Sequence, residues 1–333
     1  MSAISYKIAL CDAVLELLWR QWNAIGVAGH VGKGDTGSVL DPEALLLFSA
    51  AFCRYEPRLY DLMADWVIKY SRLLNPTRLK SMAASAQYKD IPSLSYLAAL
   101  CTQAGDIRWK RAAENGQHPA NGKLESLFRT QEEGAAIFCP EDDALALGYG
   151  FRRSTYVFRN KLRQQLGFTA ATLLLNLRGM LGVTARAEVI LLLMETPCNI
   201  QQLSDRSGFV RSAVKTVLDE LLLVNLVSPV KKAGGKSVFY TLNNREFYPS
   251  LQNDVPVHFP RWSSVYEAIG KIWQLVCLPA MEKVSVETFT GEMRRFFREN
   301  VRSSLLNCGI AELENLTEQS IAELPTIIKS IPL

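Results

Sequence analysis

The stretch from Val183 to Leu242 constrains the fold most, because each of its elements is punctuated by its own local signal. Thr184 is a good N-cap, and Ala187, Ile190, Leu191 and Met194 follow it at the spacing of a helix with one buried face. Pro197 lies just past the end of that helix. Asn199 starts a short second helix, with Gln202 at the capping-box position, Ile200 and Leu203 facing inward, and Gly208 where a left-handed residue is needed to stop it. After Phe209 a third helix puts Val210, Val214, Val217, Leu218 and Leu221 on one face and leaves Arg211, Ser212, Lys215 and Thr216 on the other.

Beyond it, Leu226 to Lys232 and Ser237 to Leu242 are short extended runs around Ala233, Gly234, Gly235 and Lys236. Val238, Tyr240 and Leu242 alternate with Ser237, Phe239 and Thr241, the period of a half-buried strand, so the pair reads as a hairpin with a basic tip. The order of helix, short helix, longer helix with a basic outer face, then hairpin resembles the winged helix-turn-helix DNA-binding proteins, including the MarR and ArsR groups of bacterial regulators. The segment IQQLSDRSGFVRSAVKTVLDELLLVNLV carries the likeness. In that superfamily the third helix enters the major groove and the wing lies along the phosphates. The resemblance therefore implies groove contacts from Arg211, Ser212, Lys215 and Thr216 and phosphate contacts from Lys231, Lys232 and Lys236. It also implies a double-stranded DNA partner.

Charge placement agrees with such a partner. The whole chain carries only +4, yet Phe151 to Gly182 holds Arg152, Arg153, Arg159, Lys161, Arg163 and Arg178 with no Asp or Glu. Val183 to Arg245 is also net basic, so the remainder is net negative. A local field of that sign suits phosphate, and the Phe151 to Leu181 segment is expected to be mostly helical and to touch the DNA backbone.

Start signals also announce an all-helical N-terminal domain. Leu10, Val14, Leu17, Leu18 and Trp22 form an opening stripe; Asp41 with Pro42 and Asn75 with Pro76 are cap-and-proline pairs; Pro57 opens a helix, and another runs from about Pro92 to Gly105. The glycine-rich GVAGHVGKGDTGS fails as a nucleotide loop: Gly26 is one residue too far from Gly32, and Gly34 rather than Ser or Thr follows Lys33. Gly116, Pro119, Gly122, Gly134 and Pro140 mark a linker holding one short helix around Leu124 to Phe128. The expected organisation is a helical domain over 1–110, a linker over 111–145, a basic helical segment over 146–182, the winged unit over 183–245 and a helical C-terminal region over 246–333. The fold class is mainly α with one small β-hairpin.

In the last region Trp262, Val265, Tyr266, Ile269, Ile272, Trp273 and Val276 form a broad apolar stripe. It is either core or a subunit contact. A single recognition helix reads few base pairs, so a homodimer joined through Trp262, Tyr266, Ile269 and Trp273 is the expectation weighed against plain core packing. Seven cysteines stand tens of residues apart with no C-x-x-C, which predicts reduced buried thiols and neither a zinc site nor disulfides. No other metal or cofactor is implied. His30, His118 and His258 fall in separate loops, and no nucleophile elbow or paired-carboxylate signature is present, so an enzyme is not expected. There is no signal-peptide pattern and no apolar run near the ~20 residues that span a bilayer, which predicts a cytoplasmic protein without a membrane partner. The reading is a sequence-specific transcriptional regulator whose N-terminal domain takes an effector or protein partner; the alternative is a winged helix used for protein contact.

Overall fold

Several helices begin where a side chain stands ready to take the first unpaired amides. The computed structural model describes residues 1–29, 37–117, 122–130, 136–137, 142–231, 237–243 and 257–332. Helix α1 (Ala3–Ala24) starts at Ser2, whose hydroxyl accepts from the Ser5 amide. Helix α2 (Pro42–Phe52) starts at Asp41, whose carboxylate accepts from Ala44 at 3.1 Å. Pro57 is the first residue of α3 (Pro57–Tyr70), where a missing N–H costs nothing. Asn75 takes the Thr77 and Arg78 amides to open α4 (Pro76–Ser85), and Asp90 takes the Ser93 amide to open α5 (Ile91–Gln103). Each such cap is worth roughly 1 kcal/mol.

The middle of the chain departs from expectation. After α6 (Lys110–Glu114), the expected helix around Leu124 to Phe128 is instead the strand β1 (Glu125–Ser126). It pairs in parallel with β2 (Phe151–Arg152), which follows α7 (Ala144–Leu147), in the register Glu125↔Phe151 and Ser126↔Arg152. Leu127 and Phe128 are buried, and Arg54 donates from Nε to the Leu127 carbonyl at 2.8 Å, so part of the supposed linker belongs to the core. The basic segment is not mostly helical either. Its chain has no helix from Arg153 to Gly167, where Leu162 forms one isolated bridge, and turns helical only at α8 (Leu173–Leu181).

Helices α9 (Ala185–Glu195), α10 (Ile200–Ser207) and α11 (Arg211–Leu223) precede the antiparallel strands β3 (Val227–Lys231) and β4 (Val238–Leu242), in register from Val227↔Leu242 to Lys231↔Val238. The C-terminal region holds α12 (Trp262–Val276), α13 (Val286–Phe296), α14 (Arg302–Leu305), α15 (Ala311–Glu314) and α16 (Leu324–Ser330). The chain is mainly helical, and among the described residues no helix is long and apolar enough to cross a membrane. The described cysteines are unbonded thiols; Cys277 is half-buried and the other five are buried.

The C-terminal helices close the N-terminal core. Helix α16 lies along α1, and α12 packs on α1 and α2. Phe48 stacks on Tyr266 at 4.8 Å, Phe52 meets Trp273 at 5.0 Å, and the Trp262 indole donates to the Val39 carbonyl at 2.7 Å. Gly270 lets Tyr88 rest on the α12 backbone, where any Cβ would sit 2.4 Å from the Tyr88 Cβ.

This packing corrects the expected subunit contact. Trp262, Tyr266, Ile269 and Trp273 are 1%, 3%, 1% and 2% exposed, so they fill the protomer's own interior and present no surface to a second copy. The physical reason is that the same aromatic stripe finds Phe48 and Phe52 on α2 within its own chain. Trp273→Ala is therefore expected to cost about 3 kcal/mol or more in denaturant unfolding, with a sedimentation coefficient equal to that of the parent.

Candidate nucleic-acid interface

The α9–β4 unit is built around one apolar centre. Ala187, Ile190, Leu191 and Met194 of α9, Leu203 of α10, and Val214, Val217, Leu218 and Leu221 of α11 are all buried, as the helical periodicity requires. Asn199 and Gln202 form a complete capping box at the start of α10, and Gly208 ends it at φ +77°, a conformation costly for any residue with a Cβ. Val210 is the exception: expected inside, it is the N-cap of α11 and 68% exposed. A further pairing escapes the sequence. Cys198 and Tyr240 exchange both backbone hydrogen bonds, at 3.2 and 2.8 Å, which adds a short third strand beside the hairpin.

On the outer face of α11, Arg211, Ser212, Lys215 and Thr216 are all exposed or half-exposed to solvent. They form two i,i+4 rows on one side of the helix. Thr216 returns its hydroxyl to the Ser212 carbonyl at 3.1 Å, while Arg211 and Lys215 form no ion pair among the described residues. The acids lie further along: Asp219 is exposed, and Glu220 is engaged by Arg186. No side chain caps the first turn of α11, so its amides and the positive end of its dipole face the same solvent as Arg211. Lys231 is exposed at the end of β3; Lys232 and Lys236 lie outside the described residues. Of the three histidines, His258 lies among the described residues, and His30 and His118 lie outside them.

The six cations expected to serve DNA from the basic segment divide into two groups. Arg178 is buried between Glu43 and Glu188, Arg153 is buried with Asp61 at 2.9 Å, and Arg152 pairs with Asp142. Arg178 and Arg153 are used internally and are corrected out of the interface, because carboxylates distant in sequence meet them in space, whereas Arg152 stays exposed and is engaged at the surface by Asp142. Arg159, Lys161 and Arg163 stay open to solvent.

What holds the α9–β4 unit against the body is a polar joint at its rear. Arg78 of α4 donates from Nε to the Ser207 carbonyl at 2.9 Å, and Arg206 reaches both Glu195 and the Phe259 carbonyl. His258 lies between Glu195 Oε1, 2.7 Å from its Nδ1, and the Gly309 carbonyl, which contacts its Nε2. Both partners are acceptors, so both contacts are satisfied only by the doubly protonated ring. A cleft of about 320 Å³ opens beside this joint, lined by Phe48, Arg78, Met82, Tyr88, Arg206 and Tyr266.

The Glu195 hydrogen bond raises the His258 pKa against the opposing effect of burial. Burial works against the Glu195 carboxylate, but hydrogen bonds from His258 and Phe259 and the Arg206 charge hold its pKa below the ordinary value. The two signs define a window. A raised histidine contributes stability fully below its unfolded value of about 6.5 and loses it as pH rises through the folded value. A depressed carboxylate contributes above its unfolded value of about 4.3 and loses it as pH falls through the folded one. Melting temperature should thus fall as the pH rises above neutral, and His258→Gln should lower it more at pH 6 than at pH 9. Equal losses at both would show that the ring is neutral in the folded chain.

Compared with known protein families, curated proteins and solved structures, the chain shows no significant match.

Proposed function

We propose that the chain is a sequence-specific DNA-binding regulator of transcription, with the α9–β4 unit acting as a winged helix-turn-helix. The observation that carries this reading is the outer face of α11, where Arg211 and Lys215 stand exposed and, among the described residues, without ion pairs beside Ser212 and Thr216. In this reading α11 lies in the major groove, Arg211 and Lys215 meet base edges, and Lys231, Lys232 and Lys236 meet phosphates. The packing of α11 on α9, α10 and β3 leaves that face clear. The cleft beside Arg206 and Gly208 is where an effector of the N-terminal body would touch the turn that leads into α11.

Selection against a random duplex pool identifies the cognate site, and the double change Arg211→Ala with Lys215→Ala tests the assignment. Discrimination between cognate and random duplex should fall at least about tenfold, because each base-reading contact is worth ~1 to 3 kcal/mol. Neutralising Lys231, Lys232 and Lys236 should instead weaken all duplexes alike and reduce the salt slope by about 0.9 for each phosphate no longer neutralised. Unchanged discrimination in the first variant would remove the groove assignment.

A protein contact by the same unit is favoured by one observation. Leu223 and Val224, at the far end of α11, are 86% and 64% exposed. A second copy of the chain is the partner that a homodimeric regulator needs, with half-sites about one helical turn apart. Leu223→Asp with Val224→Asp should convert a sedimenting dimer into a folded monomer that binds a two-half-site duplex more weakly. A parent chain already monomeric at tens of micromolar removes this contact.

A further inference from the structure

The non-helical chain from Arg153 to Gly167 is pinned to α3 and to Gly26 and Val27 beyond α1. The Tyr156 hydroxyl donates to Asp65 Oδ1 at 2.5 Å, and the Arg159 amide donates to Asp65 Oδ2 at 3.1 Å. Leu162 bridges Val27, the Arg163 amide donates to the Gly26 carbonyl at 2.9 Å, and Lys69 and Tyr70 both donate to the Arg163 carbonyl at 3.1 Å. Asn160, at φ +48°, turns the chain between Arg159 and Lys161. With its backbone so held, this strap and the residue that follows it turn a particular set of side chains outward. Phe158 and Phe168 are 45% and 67% exposed, and Arg159, Lys161 and Arg163 are exposed between them. Asp61 lies within the field of Arg159, whereas Lys161 and Arg163 form no ion pair among the described residues. No Asp or Glu occurs from residue 144 to residue 187.

We propose that this strap binds single-stranded nucleic acid, with phosphates on Lys161 and Arg163 and bases stacked on Phe158 and Phe168. Two phenylalanines left in water on a fixed backbone need a partner with flat apolar faces, and the cations between them need one with regular negative charge. A single strand offers both along one line. A duplex offers only the charge, because its base faces are already stacked. An anionic membrane offers charge and an apolar interior, but it is met by a helix with a deep apolar face, and this segment is non-helical and hydrogen-bonded to α3 and Gly26. The site shares no residue with the groove-reading face of α11, so the two stand or fall separately.

Fluorescence anisotropy of the full chain with a labelled oligothymidylate of about 15 nucleotides, a length within the range such sites occupy, tests the proposal at low salt. Phe158→Ala with Phe168→Ala should weaken binding about tenfold or more, and Phe158→Trp with Phe168→Trp should retain it. Lys161→Ala with Arg163→Ala should weaken it and lower the salt slope by about 0.7 for each phosphate left without its cation. All of these side chains are exposed, so melting temperatures should match the parent. Arg211→Ala with Lys215→Ala should leave oligothymidylate binding intact, which separates this site from the duplex reading. Failure of the parent to bind oligothymidylate, or binding indifferent to both the phenylalanine and the cation changes, overturns the proposal. Co-sedimentation with phosphatidylserine vesicles that disappears in the Phe→Ala variant, without any effect on oligothymidylate, overturns it in favour of a membrane surface.

Discussion

Two guanidinium groups and three carboxylates buried together hold the architecture in register. Arg178 grips both oxygens of Glu43, at 2.6 and 2.8 Å, and Glu188 Oε1 at 2.6 Å; Arg78 reaches Asp41 at 2.5 Å and Glu43 at 2.7 Å. The side chains of Arg178 and Glu43 have no exposure at all. The cluster ties α2, α4, α8 and α9 together, and through the Ser207 carbonyl it reaches the end of α10. Burial pushes the Glu188 carboxyl up despite Arg178, and Glu188 Oε2 has no partner among the described residues. The network contributes little net stability compared with an apolar filling of the same shape, but loss of one member strands the others at a cost of about 3 to 5 kcal/mol. Its effect is therefore one of specification: segments 135 residues apart, as Glu43 and Arg178 are, have one way to meet.

The same network explains why part of the sequence misleads. Caps and prolines are local devices, so Asp41 with Pro42, Asn75 with Pro76, Thr184, and Asn199 with Gln202 and Gly208 mark helix boundaries that the structure reproduces. Periodicity is nearly as local, and it places the buried face of α11 correctly apart from Val210, whereas α9, expected to bury one face, is buried nearly all round, with Val189, Leu192, Leu193 and Glu188 inside as well. Charge is not local. Arg178 reads as one of six unopposed cations because Glu43 and Glu188 lie outside the basic run, and Arg153 is neutralised by Asp61 on α3. The α12 stripe misleads for a related reason: an aromatic face announces that it will be covered, and only the fold shows that α1 and α2 of the same chain cover it. The exposed face of α11 is fully legible, since it needs only helical spacing, whereas the strap over α3 is not. Its path depends on Asp65, Gly26 and Tyr70, which are joined to it by tertiary contacts alone.

Position in the fold sorts the cations by what they can do. Arg78, Arg153 and Arg178 are held by carboxylates in the interior, while Arg211 and Lys215 on α11, Lys231 at the end of β3 and Lys161 and Arg163 on the strap are exposed to solvent. Burial of a guanidinium without a counter-ion is prohibitive, so each internal arginine takes an acid with it and leaves the net surface charge as it was. A chain with a net charge of only +4 presents positive patches because its exposed cations are clustered, with no Asp or Glu from residue 144 to residue 187.

The contacts between the α9–β4 unit and the body differ in how readily they yield. Arg178 and Glu188 are excluded from water and can separate only by exposing bare charge to an apolar surround. The His258 imidazole is 42% exposed, is held by two acceptors, and loses one of them when it gives up a proton. The His258 and Arg206 side is therefore the contact that water and protons reach, and the Arg178–Glu188 cluster is the one they do not. The pH dependence of the joint between the α9–β4 unit and the body thus lies in the His258–Glu195 pair, because only there does a change of protonation remove a hydrogen bond.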